Sequence, residues 1–179
     1  MRMFIPVAFV FLAGAGVAQA QSAAANPVSS SIRSDWKTVE GYIKGSADLM
    51  DEAGYSFKPV DSVRTFGAIL AHVTGANYEY CSSVKGEKSP HGEADFEKTL
   101  TKKADIVKAL NESLAYCDAA YDAATDGSIA QLAPSAFGNR QSPKASALIG
   151  NVAHLNEHYG NLVTYFRIKG IVPPSSRRQ

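Results

Sequence analysis

Cysteine is scarce in this chain. Cys81 and Cys117 are the two among 179 residues, and they are not spaced as a CxxC pair. A disulfide-framework miniprotein is therefore excluded. Neither charge sign dominates: Lys+Arg is 18, Asp+Glu is 17 and the formal net charge is +1. That leaves no basic excess for phosphate backbones, so charge-driven nucleic-acid binding is not expected. No alternating apolar–polar stretch and no Asn-Gly hairpin signal appears, so sheet is not expected either. No internal repeat is present. Apolar residues at 45% and charged residues at 20% are ordinary for a globular protein, which argues against disordered, collagen-like and low-complexity classes. The length suits one domain and is short for two.

One long apolar run is present, at the start. Met1-Arg2-Met3 is a short basic opening, Phe4 to Val17 is almost wholly apolar, and Ala18-Gln19-Ala20 places small residues where a signal peptidase reads. A membrane anchor is the competing reading, but the run of about 14 residues falls short of the roughly 20 needed to span a bilayer. No Cys comes directly after it for lipid attachment. We expect residues 1–20 to be a cleaved signal peptide and the protein to be exported to the periplasm or the exterior. Residues 21–31 are Ala/Ser/Pro-rich and read as a flexible lead-in.

Beyond the lead-in the chain has the period of helices. Ile32, Trp36, Val39, Ile43, Ala47 and Met50 recur at steps of three and four, with Gly54 placed as a C-terminal cap. Phe66, Ile69, Val73, Ala76, Tyr80 and Val84 repeat the pattern. Thr65 or Asp61 suits its start and Gly86 its end. Ile106, Leu110, Leu114, Cys117 and Tyr121 form a third stripe, with Thr101 as a cap. Leu148, Val152, Leu155, Tyr159, Leu162 and Phe166 form a fourth. Ser142-Pro143 suits its start, Gly170 its cap, and Pro173-Pro174 its stop. Two long irregular connections, 87–100 and 125–142, separate the second from the third and the third from the fourth. Residues 171–179 read as a tail. The fold class expected is all-α, a four-helix bundle with two long connections.

Of the four histidines, His91 sits between Pro90 and Gly92 with no companion and reads as solvated surface. His154 and His158 are i and i+4, about 40° apart around a helix axis and one turn apart along it. Two imidazoles so placed can share a metal ion. His72 lies at the edge of the second apolar face, and Glu157 points away from its neighbours. Gly75 and Gly150 each lie one turn from a histidine, at a cost near 1 kcal/mol relative to alanine, which suggests that room is needed there. Three neutral imidazoles leave a coordination position open and suit a borderline divalent ion such as zinc or nickel. The plain alternative is a packed or surface histidine pair.

At these residues the chain resembles a family. Phe66-Gly67-Ala68-Ile69-Leu70-Ala71-His72-Val73 is similar to the second helix of the DinB/YfiT-like four-helix bundles. His154-Leu155-Asn156-Glu157-His158-Tyr159-Gly160-Asn161-Leu162 is similar to their fourth. Tyr55-Ser56-Phe57-Lys58-Pro59 and Lys169-Gly170-Ile171-Val172-Pro173-Pro174 also fit. The resemblance implies an up-down-down-up bundle over residues 32–170 and a divalent-metal site at His72, His154 and His158. The family includes metal-dependent hydrolases and thiol-dependent transferases. The latter use cytoplasmic thiols, and the export signal departs from that setting.

The resemblance bears on the cysteines too. Their plain reading is two buried thiols. If the second and third helices run parallel, as the family topology implies, Cys81 and Cys117 stand near the same end, with a height mismatch of roughly 3 Å. The compartment expected from the signal peptide lets disulfides persist, so a Cys81–Cys117 bridge is expected. On the helical wheel Cys81 lies almost opposite His72 and is a poor fourth ligand.

Two functions stay open. One is an exported metal-dependent enzyme, such as a hydrolase or transferase. The other is a non-catalytic metal-binding or stress-response module. A helical bundle without metal is the bland third. No general base is evident: Glu79 is too far along its helix to share the ion, and Tyr165 and Asn161 read as helix-edge packing. The partner expected is a small-molecule substrate of unassigned class, with no nucleic acid and no stable membrane anchor. A homodimer is one possible assembly.

Overall fold

The computed structural model describes residues 26–92 and 94–177. The expected signal peptide, the first part of the lead-in and the last two residues lie outside them. Four long helices carry the described chain: α1 (Pro27–Leu49), α2 (Phe66–Lys85), α3 (Lys103–Asp122) and α4 (Lys144–Ile168). The apolar stripes expected of each face a shared core. Ile32, Trp36, Val39, Ile43, Ala47 and Met50 of the first stripe are all buried, as are Ile106, Leu110, Leu114, Cys117 and Tyr121 of the third. Tyr80 of the second and Val152 of the fourth are half-buried instead.

Helix ends show where local sequence is overruled. α1 starts at Pro27, inside the segment expected to be a flexible lead-in. The cause lies far along the chain. The Asp126 carboxylate accepts from the backbone N–H groups of Ser29 at 2.8 Å and Val28 at 3.3 Å. Asn26 Oδ1 in turn accepts from the Asp126 N–H at 2.9 Å. The otherwise unpaired donors of the first turn are thus satisfied by a distant residue. α1 ends at Leu49, not at a Gly54 cap. Gly54 instead lies in a 3-10 turn, where an added Cβ would collide with Met50 Sδ, so close approach is its reason. Thr65 caps α2 as expected, its hydroxyl accepting from Ala68 N–H at 3.1 Å, and Gly86 closes it with φ 73°.

Thr101 does not cap α3. That helix begins one residue later, with Lys102 at the cap, and Lys103 Nζ donates to the Met50 carbonyl at 2.6 Å. Nor are Ser142 and Pro143 the cap and first helical residue of α4: Pro143 itself stands at the cap, and the helix begins at Lys144. Ser142 and Pro143 pair with residues 132 and 133 in a short antiparallel ladder, Leu132–Pro134 (β1) against Gln141–Pro143 (β2). Three-residue strands are too short to show a period of two, so the sequence carried no sign of them. The described residues are mostly helical, with this small ladder beside them.

Contacts between helices fix which ends meet. Near the starts of α2 and α3, a Cβ on Gly67 would stand 3.1 Å from Ile106 Cδ1. Midway, Asn77 Nδ2 donates to Ser113 Oγ at 3.1 Å. Near their ends, Cys81 and Cys117 are joined by a disulfide with Cα atoms 5.3 Å apart. Both cysteines are fully buried, and Asn151 Nδ2 of α4 lies 3.7 and 3.6 Å from the two sulfurs. Trp36, early in α1, stacks on Tyr121, late in α3, at 4.4 Å and donates its indole N–H to Asp118. Phe66 at the start of α2 meets Phe166 near the end of α4 at 5.3 Å.

A three-histidine candidate metal centre

His72 projects from the second turn of α2, and His154 and His158 project one turn apart from α4. The crossing of the two helices brings the three rings together. His154 Nε2 stands 3.2 Å from His72 Nε2 and 3.1 Å from His158 Nε2. The three ligand atoms lie within 4.8 Å of one another. Two nitrogens each 2.0–2.1 Å from one ion, at angles from octahedral to tetrahedral, stand about 2.8–3.4 Å apart. The two separations at His154 fall in that range, and the three donors suit a divalent ion by type. One proton or lone pair on His154 Nε2 serves two neighbours poorly, whereas a cation accepts all three lone pairs.

A network that sequence reading missed holds the first ring. The connection expected to be irregular, 87–100, contains a helical turn, Phe96–Thr99, capped by Asp95. Glu97 on that turn accepts from His72 Nδ1 at 2.8 Å. A carboxylate partner places the proton on Nδ1 and leaves Nε2 as a lone pair facing the other histidines. Arg64 grips the same carboxylate, with Nε at 2.8 Å and Nη2 at 3.2 Å. The Arg64 carbonyl accepts from Tyr165 Oη at 2.7 Å, which ties the network back to α4. No local pattern marks Glu97 or Arg64. His154 and His158 differ from His72, since their Nδ1 atoms are buried without a hydrogen-bond partner among the described residues. We expect Glu97→Gln to weaken metal binding about 10–100-fold, the usual cost of an outer-shell partner. Competition against a chromogenic chelator measures it. Unchanged affinity would remove Glu97 from the site.

Burial sets the charge state. It pushes the buried His158 down to about 4, aided by the positive charge that His154 and His72 would carry, and it lowers His154 for the same reasons. Burial alone raises the Glu97 carboxyl, but hydrogen bonds from Arg64 and His72 outweigh this and hold it low. Neutral imidazoles beside an ionised carboxylate are the states a metal ligand set requires.

The same shift predicts a pH dependence for the metal-free protein. The unfolded chain binds a proton at His158 near pH 6.5, whereas the folded chain binds it only near pH 4. Stability from this group is complete above about 6.5 and lost as pH falls towards 4. The loss is on the order of 2–3 kcal/mol. Thermal melts of wild type and His158→Gln should converge at low pH. Parallel curves from pH 7 to 4 would refute this.

The remaining sequence candidates fall where their types suggest. His91 is exposed and packs 4.4 Å from Tyr78 and 5.4 Å from Phe96, apart from the triad. Glu157 and Asn161 are exposed. Tyr165 holds Arg64 as described. Glu79 is half-buried, outside the ligand cluster, and lines a cleft of about 970 Å³ that opens beside His72 and His154. The room beside Gly150 is filled by Tyr80, whose Cε1 would stand 3.0 Å from an added Cβ. Gly75 faces Phe96 at 3.4 Å. Both glycines make space for aromatic rings, not for an ion.

Known proteins share this architecture. A DinB-like protein from Bacillus cereus superposes with a TM-score of 0.67 at 18% identity, over 80% of this chain and 93% of that one. A DinB-like protein from Bacillus subtilis gives 0.64 at 18% identity, over 83% and 99%. The mycothiol-dependent maleylpyruvate isomerase gives 0.61 at 15% identity over 75% of this chain, which spans 60% of the isomerase. No curated protein matches in sequence. At such identities the likeness is one of fold. The model of the DinB superfamily matches residues 36–162, a span that runs from α1 into α4 and encloses all three clustered histidines, and the chain belongs to that superfamily.

Proposed function

We propose that this is an exported protein that binds one divalent ion, zinc or nickel, through His72, His154 and His158, and acts on a small molecule in the adjoining cleft. The observation that carries the reading is the convergence of three Nε2 atoms, two of the separations being 3.2 and 3.1 Å. When bound, such an ion supplies Lewis acidity and lowers the pKa of a water. The chain's own residues do the rest. Glu97 and Arg64 hold the His72 ring, burial keeps His158 and His154 neutral, and the cleft admits the substrate beside His72 and His154.

Export rests on the first twenty residues. Among the described residues no helix is long and apolar enough to cross a membrane. A location away from cytoplasmic thiols favours hydrolysis over the thiol dependence named for the isomerase. The helix contacts, with Phe66 against Phe166, Arg33 against the Tyr121 carbonyl and Cys81 against Cys117, support an up-down-down-up four-helix bundle.

A second reading, metal binding without turnover, is favoured by one observation. Glu97, the carboxylate that touches the histidines, is already engaged by His72 and Arg64, so its lone pairs are poorly placed for a general base. Turnover of a panel of esters and amides by zinc- and nickel-loaded protein, against chelated protein, decides between them. Metal-dependent hydrolysis that His154→Ala abolishes supports the enzyme. Stoichiometric metal with no turnover supports the binding module.

A further inference from the structure

The cleft beside the histidines has a carboxylate with no ion-pair partner among the described residues. Among the described residues four acidic ones line it: Glu79, Glu87, Asp95 and Glu97. Three are paired. Glu87 meets Lys85 at 3.0 Å and the Tyr116 hydroxyl at 2.6 Å, Asp95 meets Lys98 at 2.7 Å, and Glu97 is held by Arg64 and His72. Glu79 has no hydrogen-bond or ion-pair partner among the described residues, although it is half-buried in the cleft wall. Among the described residues of the lining Lys88 is the one lysine, and it is exposed at the rim, where water and salt screen it. Phe96 and Phe137 add aromatic surface to the same cleft. Glu79 lies seven residues beyond His72 on α2, two turns and about 10 Å along the axis. A negative group, an aromatic stretch and the histidine cluster therefore share one cleft.

We propose that the cleft takes a small molecule with a protonated amine about 10 Å from the group that reaches the histidines, and that Glu79 anchors the amine. The reactive end rests on the metal-site reading, but the anchor does not. At that separation Glu79 acts in recognition and not in proton transfer at the reacting atoms. A partly buried carboxylate without an internal partner favours a cation over a neutral hydrogen-bond donor of the same shape.

The test compares 4-phenylbutylamine with 4-phenylbutan-1-ol, titrated into the full mature protein by ligand-observed NMR. Wild type should bind the amine about tenfold more tightly than the alcohol, the scale of one charge-assisted contact in a partly solvated site. Glu79→Gln should erase the preference, and Glu87→Gln at the rim should keep it. Direct ligation of metal by the amine is the confounding case, so His154→Ala is run beside them. There the preference must persist while metal is lost. Equal binding of amine and alcohol by wild type overturns the proposal, as does a preference that survives in Glu79→Gln or vanishes in His154→Ala. Failure to load metal would sink the metal reading and leave the amine result standing by itself.

Discussion

Alanine in place of His154 or His158 is expected to strip the protein of most of its bound metal. Wild type dialysed against a slight excess of zinc should retain one ion per chain, and either variant a small fraction of that. Structural zinc sites bind with roughly 10–16 kcal/mol shared among their ligands, about 3 kcal/mol each, so one lost imidazole weakens binding more than a hundredfold. His154 should be the most sensitive, because its Nε2 faces both other histidines, at 3.2 and 3.1 Å. His91→Ala should leave metal content unchanged, since that ring packs on Tyr78 and Phe96. Imidazoles must be neutral to ligate, so affinity should also fall as pH drops below about 6. Elemental analysis reads each case. Full retention by a His72→Ala/His154→Ala double variant, or equal loss from His91→Ala, would reject the site.

Removing the bridge should cost more stability than any single surface change. Cys81 and Cys117 are 36 residues apart in sequence. Closing a loop of that size restricts the unfolded chain by about 4 kcal/mol on the chain-entropy account. Paired replacement by alanine should therefore lower the thermal midpoint by roughly 10 °C. Metal binding should survive at temperatures where the variant remains folded, because Cys81 and His72 lie on opposite faces of α2. Denatured, unreduced protein should show no titratable thiol. Two thiols per chain would refute the bridge.

Much of the fold was legible because helices announce themselves locally. Steps of three and four placed Trp36, Ile43, Leu110, Leu114, Leu155 and Phe166 in one core, and all are buried. Thr65 and Gly86 marked their helix ends through hydrogen bonds within a few residues. Ends satisfied from afar were not legible. Asp126 caps α1 across about a hundred residues of chain, and Lys103 answers the Met50 carbonyl. Neither relation leaves a trace in a local window. The two three-residue strands that displaced the expected Ser142 cap are set by their pairing with each other, not by propensity.

The candidate site divides along the same line. The spacing of His154 and His158 on one helix needs only the helical repeat, so that pair was readable from the order of residues, along with the stripes, the charge balance and the apolar start. His72 joined the pair as a third candidate from its place at the edge of the second apolar face, and the resemblance matched all three to the family's site. That His72 Nε2 meets them was settled by folding, because the crossing of α2 with α4 depends on packing along both helices. Folding also placed Glu97 against His72, since a polar connection has no period to announce its direction. And it left Glu79 without a partner among the described residues, since such an absence depends on every side chain that could have come near.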